Sequence, residues 1–376
     1  MECLRCGNKD PAYFYKGSKG YYCRRCIRFS RLLLEEEPES FEYEIASGAD
    51  EYHFSYELTP EQKDASAKCL KALANSDVLL NCVCGAGKTE LAVESISSYL
   101  SRGLKVAYAI ARREVVIELE KRFRGIFPQA DVISVYGSHH EKLNGDLIIC
   151  TCHQLYRYYD TFDLLVLDEV DAFPLKGNET LMNIAIRSSR GRIIFSTATL
   201  DTGLKAILKK RRYETVELFI RPSHRPLSVP KLIYLNRFLA ILCLYRIMAL
   251  TANRCIIFVP DKRSCRNLYL IFSRLFSCTY VYSDLKERES NITAFRQGDH
   301  RFIFSTSVLE RGITIRNVDV IILNFGKTFD QSNLIQMLGR VGRGMDSDGR
   351  SYIISDHFSK EVEKTMQYLK KANSYL

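Results

Sequence analysis

Short apolar runs alternate with longer, mixed segments along most of this sequence. A first series of such runs lies between residues 78 and 197, and a second lies between residues 255 and 355. Runs of this kind, separated by helix-like segments, are typical of parallel strands covered by helices on both faces of the sheet. Prolines at 222, 226 and 230 separate the two series. The pattern predicts an α/β protein of two parallel-sheet lobes with a hinge near residues 200–235.

The longest apolar stretch, residues 238–250, is interrupted only by Arg246. A bilayer span needs about 20 apolar residues, so this stretch predicts a buried helix instead. The first residues lack the basic-then-apolar pattern of a secretion signal. Thirteen cysteines in a chain that is not exported indicate reduced thiols. We therefore expect a cytoplasmic protein.

Charge is unevenly distributed over the 376 residues, whose formal net charge is +10. Residues 1–34 hold eight basic and two acidic side chains, whereas residues 35–64 hold eleven acidic side chains and one lysine. The basic surplus favours a polyanionic partner, although a solvated surface without a partner is an equal alternative. The predicted organisation is a module at 1–34, an acidic linker at 35–55, and lobes at 56–215 and 216–376.

The module at 1–34 has the spacing C-x₂-C-x₁₆-C-x₂-C, formed by Cys3, Cys6, Cys23 and Cys26. Four thiolates in two close pairs suit tetrahedral Zn²⁺. Tyrosines and Phe14 are interleaved with its basic residues, which suits stacking on the bases of single-stranded nucleic acid. The alternative is that these rings form the small core of a zinc domain.

A phosphate-binding loop follows the first predicted strand of the first lobe. Small residues allow backbone N–H groups to approach phosphate oxygens, and the next helix begins beside them. Lys88 would contact the β- and γ-phosphates of ATP, and Thr89 would ligate Mg²⁺. Cys82 stands where the full motif has a glycine, which departs from the pattern. The residues of this loop are Gly85, Ala86, Gly87, Lys88 and Thr89.

Two carboxylates follow the buried run at 162–167. Asp168 would hold Mg²⁺, and Glu169 would orient and deprotonate the attacking water. Because carboxylates at the end of a buried strand are costly, a functional role is favoured over a simple helix cap.

Arg340 and Arg343 follow glycines in the sequence at 336–343 of the second lobe. Arginines there could stabilise negative charge on the γ-phosphate in the transition state, which would couple hydrolysis to closure of the lobes. A basic surface turn is the alternative.

The ordered set of these motifs resembles superfamily 2 helicases over residues 56–345, with two RecA-like lobes. The resemblance implies that Gln62 contacts adenine, that residues 196–199 couple the nucleotide to the lobe interface, and that residues 306–314 form a motif contributing Gly312 to the ATP site. It also implies nucleic-acid contacts by Arg112, Arg113, Thr151, His153, Gln154 and Thr306.

Residues 84–90, 168–174 and 309–312, together with the four-cysteine module, resemble the ComFA family of late-competence ATPases. The resemblance implies an ATPase stimulated by single-stranded DNA that helps to pull transforming DNA through a membrane channel. It implies ATP, Mg²⁺ and Zn²⁺ as cofactors, ComFC-like and DprA-like partners, possible oligomers, and a position at the inner face of the membrane.

Three alternatives stay open. The primosomal helicase PriA is the nearest competing family, although it is longer and carries its cysteines in the second lobe. The chain could otherwise be an RNA helicase of superfamily 2, or a nucleic-acid-binding adaptor with an inactive ATPase core.

Overall fold

The structure is a computed structural model that describes residues 1–36, 51–200, 202–310, 315, 317–326, 329–342 and 349–376. Most of the predicted acidic linker, residues 37–50, therefore lies outside the described residues. The chain forms two compact units. The first comprises residues 1–82 and 87–218, and the second comprises residues 83–86 and 219–376.

An antiparallel hairpin opens the first unit. Its strands pair Phe14 with Cys23 and Gly17 with Gly20, and short 3₁₀ helices flank the hairpin at Pro11–Tyr13 and Ile27–Phe29. The hairpin strands are β1 (Phe14–Gly17) and β2 (Gly20–Cys23).

A parallel sheet with strand order β5-β6-β4-β7-β8-β3-β9 forms the body of the first unit. Central strands are buried along their whole length, as expected when helices cover both faces. The helices are amphipathic: α3, for example, buries Val116, Leu119, Phe123 and Ile126, which share one face. The elements are α1 (Pro60–Leu73), β3 (Asp77–Cys82), α2 (Lys88–Leu100), β4 (Val106–Ile110), α3 (Arg113–Ile126), β5 (Val132–Val135), β6 (Leu147–Thr151), β7 (Phe162–Leu167), α4 (Glu179–Arg187), β8 (Ser189–Thr197), α5 (Thr202–Leu208) and β9 (Tyr213–Leu218).

The second unit repeats this architecture with a parallel sheet of order β10-β15-β14-β11-β13-β12. The predicted fold class of two parallel-sheet α/β lobes is confirmed. The elements are β10 (Lys231–Tyr234), α6 (Arg237–Leu250), β11 (Arg254–Phe258), α7 (Lys262–Phe272), β12 (Cys278–Val281), α8 (Arg288–Gln297), β13 (Phe302–Ser305), β14 (Val318–Asn324), α9 (Gln331–Leu338), β15 (Ser351–Ser355) and α10 (Lys360–Asn373).

The prediction of a buried helix at 238–250 is wrong. The stretch is helical, as α6, but within this helix only Ala240, Leu244 and Met248 are buried. These side chains pack with α7 residues on one face of the second sheet. A helix that lies on a sheet buries one side only, so the outward side of α6 stays exposed however apolar it is. In the part of the chain that the structure describes, no helix combines the length and hydropathy that a membrane span requires.

Candidate nucleotide site and cysteine centre

The strand order of the first sheet brings the predicted ATP-site residues together at the carboxyl ends of neighbouring strands. Strands β7, β8 and β3 are consecutive neighbours, and all three run parallel. Asp168 follows the carboxyl end of β7, and the loop at 83–87 follows that of β3. Ser196 and Thr197 are the last two residues of β8. Ligands of open α/β sheets bind at this edge.

The loop after β3 requires glycine at two positions. Gly85 and Gly87 have φ angles of +85° and +88°, in the left-handed region that glycine adopts without strain. A Cβ atom at Gly87 would collide with the side-chain nitrogen of Gln62. Helix α2 begins directly afterwards at Lys88, so its N-terminal N–H groups face the loop, as in anion-binding sites.

Gln62 closes the start of α1. Its side chain accepts a hydrogen bond from the backbone N–H of Thr59 (3.1 Å), while the Thr59 hydroxyl accepts one from the Gln62 N–H (3.3 Å). This is a capping box that fixes the N-terminus of the helix. The structure thus places Gln62 between this cap and Gly87; its contact with adenine stays a prediction.

Asp168 is the most constrained carboxylate of the site. One oxygen accepts hydrogen bonds from the Ser196 hydroxyl (2.8 Å) and the Glu169 N–H (2.9 Å), and the other accepts one from the Tyr108 hydroxyl (2.8 Å). Burial and the nearby Glu169 carboxylate raise the pKa of Asp168, and the Lys88 ammonium opposes that rise. The positive charge of Lys88 therefore acts on the carboxylate of Asp168. Opposite charges placed in this way suit a site that holds Mg²⁺ and phosphate.

Tyr108 is a site residue that the sequence analysis missed. Its fully buried hydroxyl lies 3.4 Å from Thr89 Oγ1 in addition to its hydrogen bond to Asp168, so it links the two predicted Mg²⁺ ligands. Burial, followed by the charge of Asp168, raises the pKa of Tyr108 well above its usual value, so the phenol remains a donor. One feature of the sequence could have identified Tyr108: it carries the single hydroxyl of an otherwise apolar strand, between Ala107 and Ala109.

Glu169 has a φ angle of +56°, which is unusual for a residue that is not glycine. Backbone strain of this kind is concentrated at functional sites because it aims a side chain that the surrounding structure holds in place. Two residues further on, Asp171 accepts a hydrogen bond of 2.7 Å from the Thr199 hydroxyl. The segments 168–171 and 196–199 are therefore joined twice, through Asp168–Ser196 and through Asp171–Thr199.

The predicted arginines lie in the second unit. The buried guanidinium of Arg340 donates two hydrogen bonds to the carbonyl oxygen of Glu310, at 3.1 Å from Nε and 2.7 Å from Nη2. Arg343 and Gly312 lie outside the described residues. The actions of Arg340 and Arg343 on the γ-phosphate stay predictions.

The predicted nucleic-acid contacts follow neighbouring strands β4 and β6, whose ends pair Ile110 with Thr151. Arg112 precedes α3 and Arg113 begins it, with the exposed Arg113 guanidinium 5.2 Å from the centre of the Tyr136 ring. Thr151 is buried at the end of β6. Arg112, Arg113 and Thr151 therefore lie at the carboxyl ends of the strands of the first sheet, as the predicted ATP-site residues do.

Two further positions of this set, His153 and Gln154, are half-buried and buried respectively. Gln154 is buried and accepts a hydrogen bond of 2.7 Å from Arg157. Burial, then the nearby charge of Arg28, lowers the pKa of His153, which disfavours the charged imidazolium. In the second unit, Thr306 is half-buried directly after β13.

The four cysteines of the N-terminal module form one buried cluster. All four sulfur atoms lie within 4.8 Å of one another, with Cys3 and Cys26 at 3.7 Å and Cys6 and Cys23 at 3.8 Å. A tetrahedral site with Zn–S bonds of about 2.3 Å has sulfur atoms about 3.8 Å apart. Gly7, at a φ of +69°, donates its N–H to the Cys3 carbonyl (2.8 Å) and closes the tight turn of the first pair. The residues present therefore fit Zn²⁺.

The module packs directly on the body of the first unit. Arg187, at the end of α4, donates a hydrogen bond to the Leu4 carbonyl (3.0 Å) and pairs with Glu2. Arg25 pairs with Glu179 at 3.0 Å. The four cysteines share one buried cluster with side chains of the first sheet and α4. Four of the other nine cysteines, Cys82, Cys84, Cys150 and Cys152, are buried as well.

Comparison with known proteins agrees with this fold. Residues 55–202 match the family described as type III restriction enzyme, res subunit, and residues 236–345 match the helicase conserved C-terminal domain. Among solved structures, S. cerevisiae Dbp5 bound to RNA and ADP BeF3 is 21% identical, with a TM-score of 0.60 over 85% of this chain and 92% of that one. RecG bound to a three-way DNA junction is 19% identical, with a TM-score of 0.61 over 86% of this chain and 47% of that one. The chain is thus a superfamily 2 helicase, an ATP-hydrolysing protein built of two RecA-like lobes.

Curated relatives make the assignment more specific. Competence protein ComFA of Bacillus subtilis (strain 168) is 31% identical over 95% of this chain and 82% of that protein. Competence protein ComFA of Streptococcus pneumoniae is 30% identical over 99% of this chain and 90% of that protein. The chain belongs to the ComFA family of competence proteins.

Proposed function

We propose that this chain is an ATP-driven translocase of single-stranded DNA that serves the uptake of transforming DNA. The observation that carries the proposal is the hydrogen-bonded chain from Thr89 through Tyr108 to Asp168 and Ser196, at the strand edge where Lys88 begins α2. Membership of the ComFA family supplies the biological setting.

The residues have distinct roles in this proposal. Lys88 binds the β- and γ-phosphates, and Thr89 and Asp168 hold Mg²⁺, which would neutralise phosphate charge when bound. Glu169 orients the attacking water and accepts its proton. Arg340 and Arg343 stabilise the charge that develops on the γ-phosphate, and Gly312 and Gln62 complete the nucleotide site.

Nucleic-acid binding is proposed for the edge that carries Arg112, Arg113 and Thr151, with Thr306 contributing from the second lobe. Contacts with the sugar–phosphate backbone carry no sequence information, which suits a protein that moves along a strand. Binding should weaken steeply with salt because cationic side chains release the counterions of the strand.

The N-terminal module is proposed to bind Zn²⁺ and to extend this basic surface. A cavity of about 830 Å³ lies where the module meets α4 and α5, and its lining includes Arg25, Arg28, Lys176 and Lys210. A groove with several cations suits a phosphate backbone. ComFC-like and DprA-like proteins and a membrane channel are proposed partners at the inner face of the membrane, on family resemblance.

The test is ATP turnover with no nucleic acid, with single-stranded DNA and with single-stranded RNA of matched length, over a range of salt. We expect turnover to rise with DNA, and both Lys88→Ala and Glu169→Gln to abolish it. Stimulation by RNA alone would establish an RNA helicase instead. No turnover with any strand, in zinc-loaded wild-type protein, would establish an adaptor.

Because the module is part of the core of the first unit, its contribution to DNA binding is tested by surface substitutions rather than by deletion. Arg28→Glu and Lys210→Glu reverse charges that line the 830 Å³ cavity. We expect weaker DNA binding with ATP turnover in the absence of DNA unchanged. Unchanged DNA affinity in both variants would exclude the cavity from the DNA path.

A further inference from the structure

Helix α6 presents an apolar surface to solvent. Its outward side chains remain largely accessible: Phe238 is 73% exposed, Leu242 52% and Tyr245 47%. Spacings of three and four residues place Leu242 next to both Phe238 and Tyr245 on the same side of the helix. Single exposed apolar residues are normal, but a contiguous group of this kind marks an interaction surface.

The adjoining helix α7 continues this surface. Leu270 and Ile271 are 55% and 47% exposed, and Leu275, just after the helix, is 62% exposed. A groove of about 310 Å³ runs between the two helices, with Ile241 of α6 and Ile271 of α7 both in its lining. We call the exposed side of α6 and α7, with Leu275, the α6–α7 face.

The two helices of the α6–α7 face carry charges of one sign. Within the two helices the charged residues are all basic: Arg237, Arg246, Lys262, Arg263 and Arg266. Arg274 follows α7. Arg237 pairs with Asp356 at 3.5 Å, and Lys262 pairs with Asp284.

Other cations of this face remain available to a partner. Among the described residues, Arg246, Arg266 and Arg274 have no ion pair. Helical spacing places Arg246 one turn from Leu242 and Arg266 one turn from Leu270, and Arg274 precedes Leu275 in the turn after α7. Cations therefore lie directly beside exposed leucines.

We propose that the α6–α7 face docks a partner protein through an amphipathic helix whose apolar side is bordered by aspartates and glutamates. The apolar side would fill the groove between α6 and α7, which is the helix-in-groove mode of recognition. The acidic border would meet Arg246, Arg266 and Arg274, and this charge complementarity would direct association.

Two other occupants agree less well with the same features. A second copy of the chain would place two α6–α7 faces together, and both carry only cations in their helices, so like charges would meet. A membrane surface is flat, whereas the apolar centre here is a groove with polar groups of Asp261, Ser264 and Asn267 in its lining.

The experiment uses the full-length chain and a fluorescent helical peptide of designed sequence. Its leucines recur every three or four residues, and glutamates border them. A peptide of the same composition with scrambled order is one control, and a peptide with lysines in place of the glutamates is the other. Binding is followed by fluorescence anisotropy, and position is checked by crosslinking from a photoreactive residue in the peptide.

The protein variants are Leu242→Glu and Arg246→Glu, with Phe358→Ser as the control because Phe358 is 64% exposed and belongs to neither α6 nor α7. We expect the acidic amphipathic peptide to bind wild type and to crosslink to α6 or α7. Both glutamate variants should weaken this binding about tenfold or more, since each places an acid against the acidic border. Phe358→Ser should change it by less than about twofold.

Equal binding of the scrambled peptide, or unchanged binding by Leu242→Glu and Arg246→Glu, would overturn the proposal. So would self-association of the chain, or binding to phosphatidylglycerol vesicles, that Leu242→Glu abolishes while the peptide does not bind. The proposal is independent of translocation, because these variants leave the ATP-site residues untouched and ATP turnover reports on that site separately.

Discussion

The ring of Phe29 lies 5.7 Å from the ring of Tyr156 and 6.3 Å from the imidazole of His153, measured between ring centres. Phe29 belongs to the four-cysteine module, whereas the other two residues belong to the 3₁₀ helix Cys152–Arg157 that follows β6. The module is therefore part of the first unit's core. A segment predicted to contact nucleic acid thus supports the cysteine centre as well.

Phe29→Ala should destabilise the first unit as a whole. Phe29 is 6% exposed, and truncation of a buried phenylalanine costs about 3–5 kcal/mol, less where neighbours can close the gap. Ile27→Ala, in the same short helix but 41% exposed, should cost under about 1 kcal/mol. Urea unfolding measures both. Equal stability of Phe29→Ala and wild type would show that the module is not packed on the body.

Cys26→Ser should remove the metal and lower stability together. Loss of one of four thiolates opens a closed tetrahedral site, and the folding free energy supplied by binding is lost with it. Cys243→Ser is the control, since Cys243 is half-buried and remote in sequence from the cluster. Zinc released per chain and the thermal midpoint are the measurements. A full zinc content in Cys26→Ser would contradict the assignment.

Tyr108→Phe should weaken the ATPase without unfolding the chain. The substitution removes a hydrogen bond of 2.8 Å to Asp168 and leaves the Ser196 bond in place. A net loss of about 1 kcal/mol is expected in stability. Tyr158→Phe is the matched control, because it also removes one hydrogen bond from a buried tyrosine hydroxyl. That hydroxyl donates to the carbonyl oxygen of Leu143 at 3.1 Å. The Mg²⁺ concentration for half-maximal turnover should rise only in Tyr108→Phe; identical Mg²⁺ curves would refute the linking role.

Gly87→Ala should impair nucleotide binding for two separable reasons. The new Cβ would collide with the Gln62 side chain. In addition, the φ angle of +88° at position 87 strains any L-residue by about 1–2 kcal/mol. Gly103→Ala, at a φ of +68° with nothing within 4 Å of the added Cβ, carries strain without collision. Affinity for a fluorescent ATP analogue should fall in Gly87→Ala and hold in Gly103→Ala.

Lys105 should make stability depend on pH. Burial, followed by the charge of Arg190, lowers the pKa of Lys105 to about 7 in the folded chain, against about 10.4 when unfolded. Between these values the unfolded chain binds more protons, so the free energy of unfolding rises with pH from about 7 to about 10. Lys105→Met should raise stability at pH 7 by about 1 kcal/mol or more and flatten this rise. Urea unfolding at pH 7 and pH 9 compares the two proteins; parallel pH profiles would contradict the assigned shift.

Local sequence patterns were sufficient to predict the two parallel-sheet lobes, the glycine-rich turn before Lys88, the strand-end position of Asp168 and the pairing of four cysteines in one cluster. Each of these features is encoded by a short stretch of consecutive residues. Apolar runs specify strands, and ligands that follow a strand are delivered to the same edge of the sheet as those of its neighbours.

Contacts between segments that are distant in sequence could be learned only from the three-dimensional fold. The contact of Tyr108 with Asp168 joins residues 60 positions apart, and that of Arg187 with Leu4 joins residues 183 positions apart. Such pairs depend on strand order and on which face a module covers, and neither is recorded in local periodicity. The same reason explains α6: its sequence specifies an apolar helix, but the extent of its burial is set by how much of its circumference the sheet and α7 can cover.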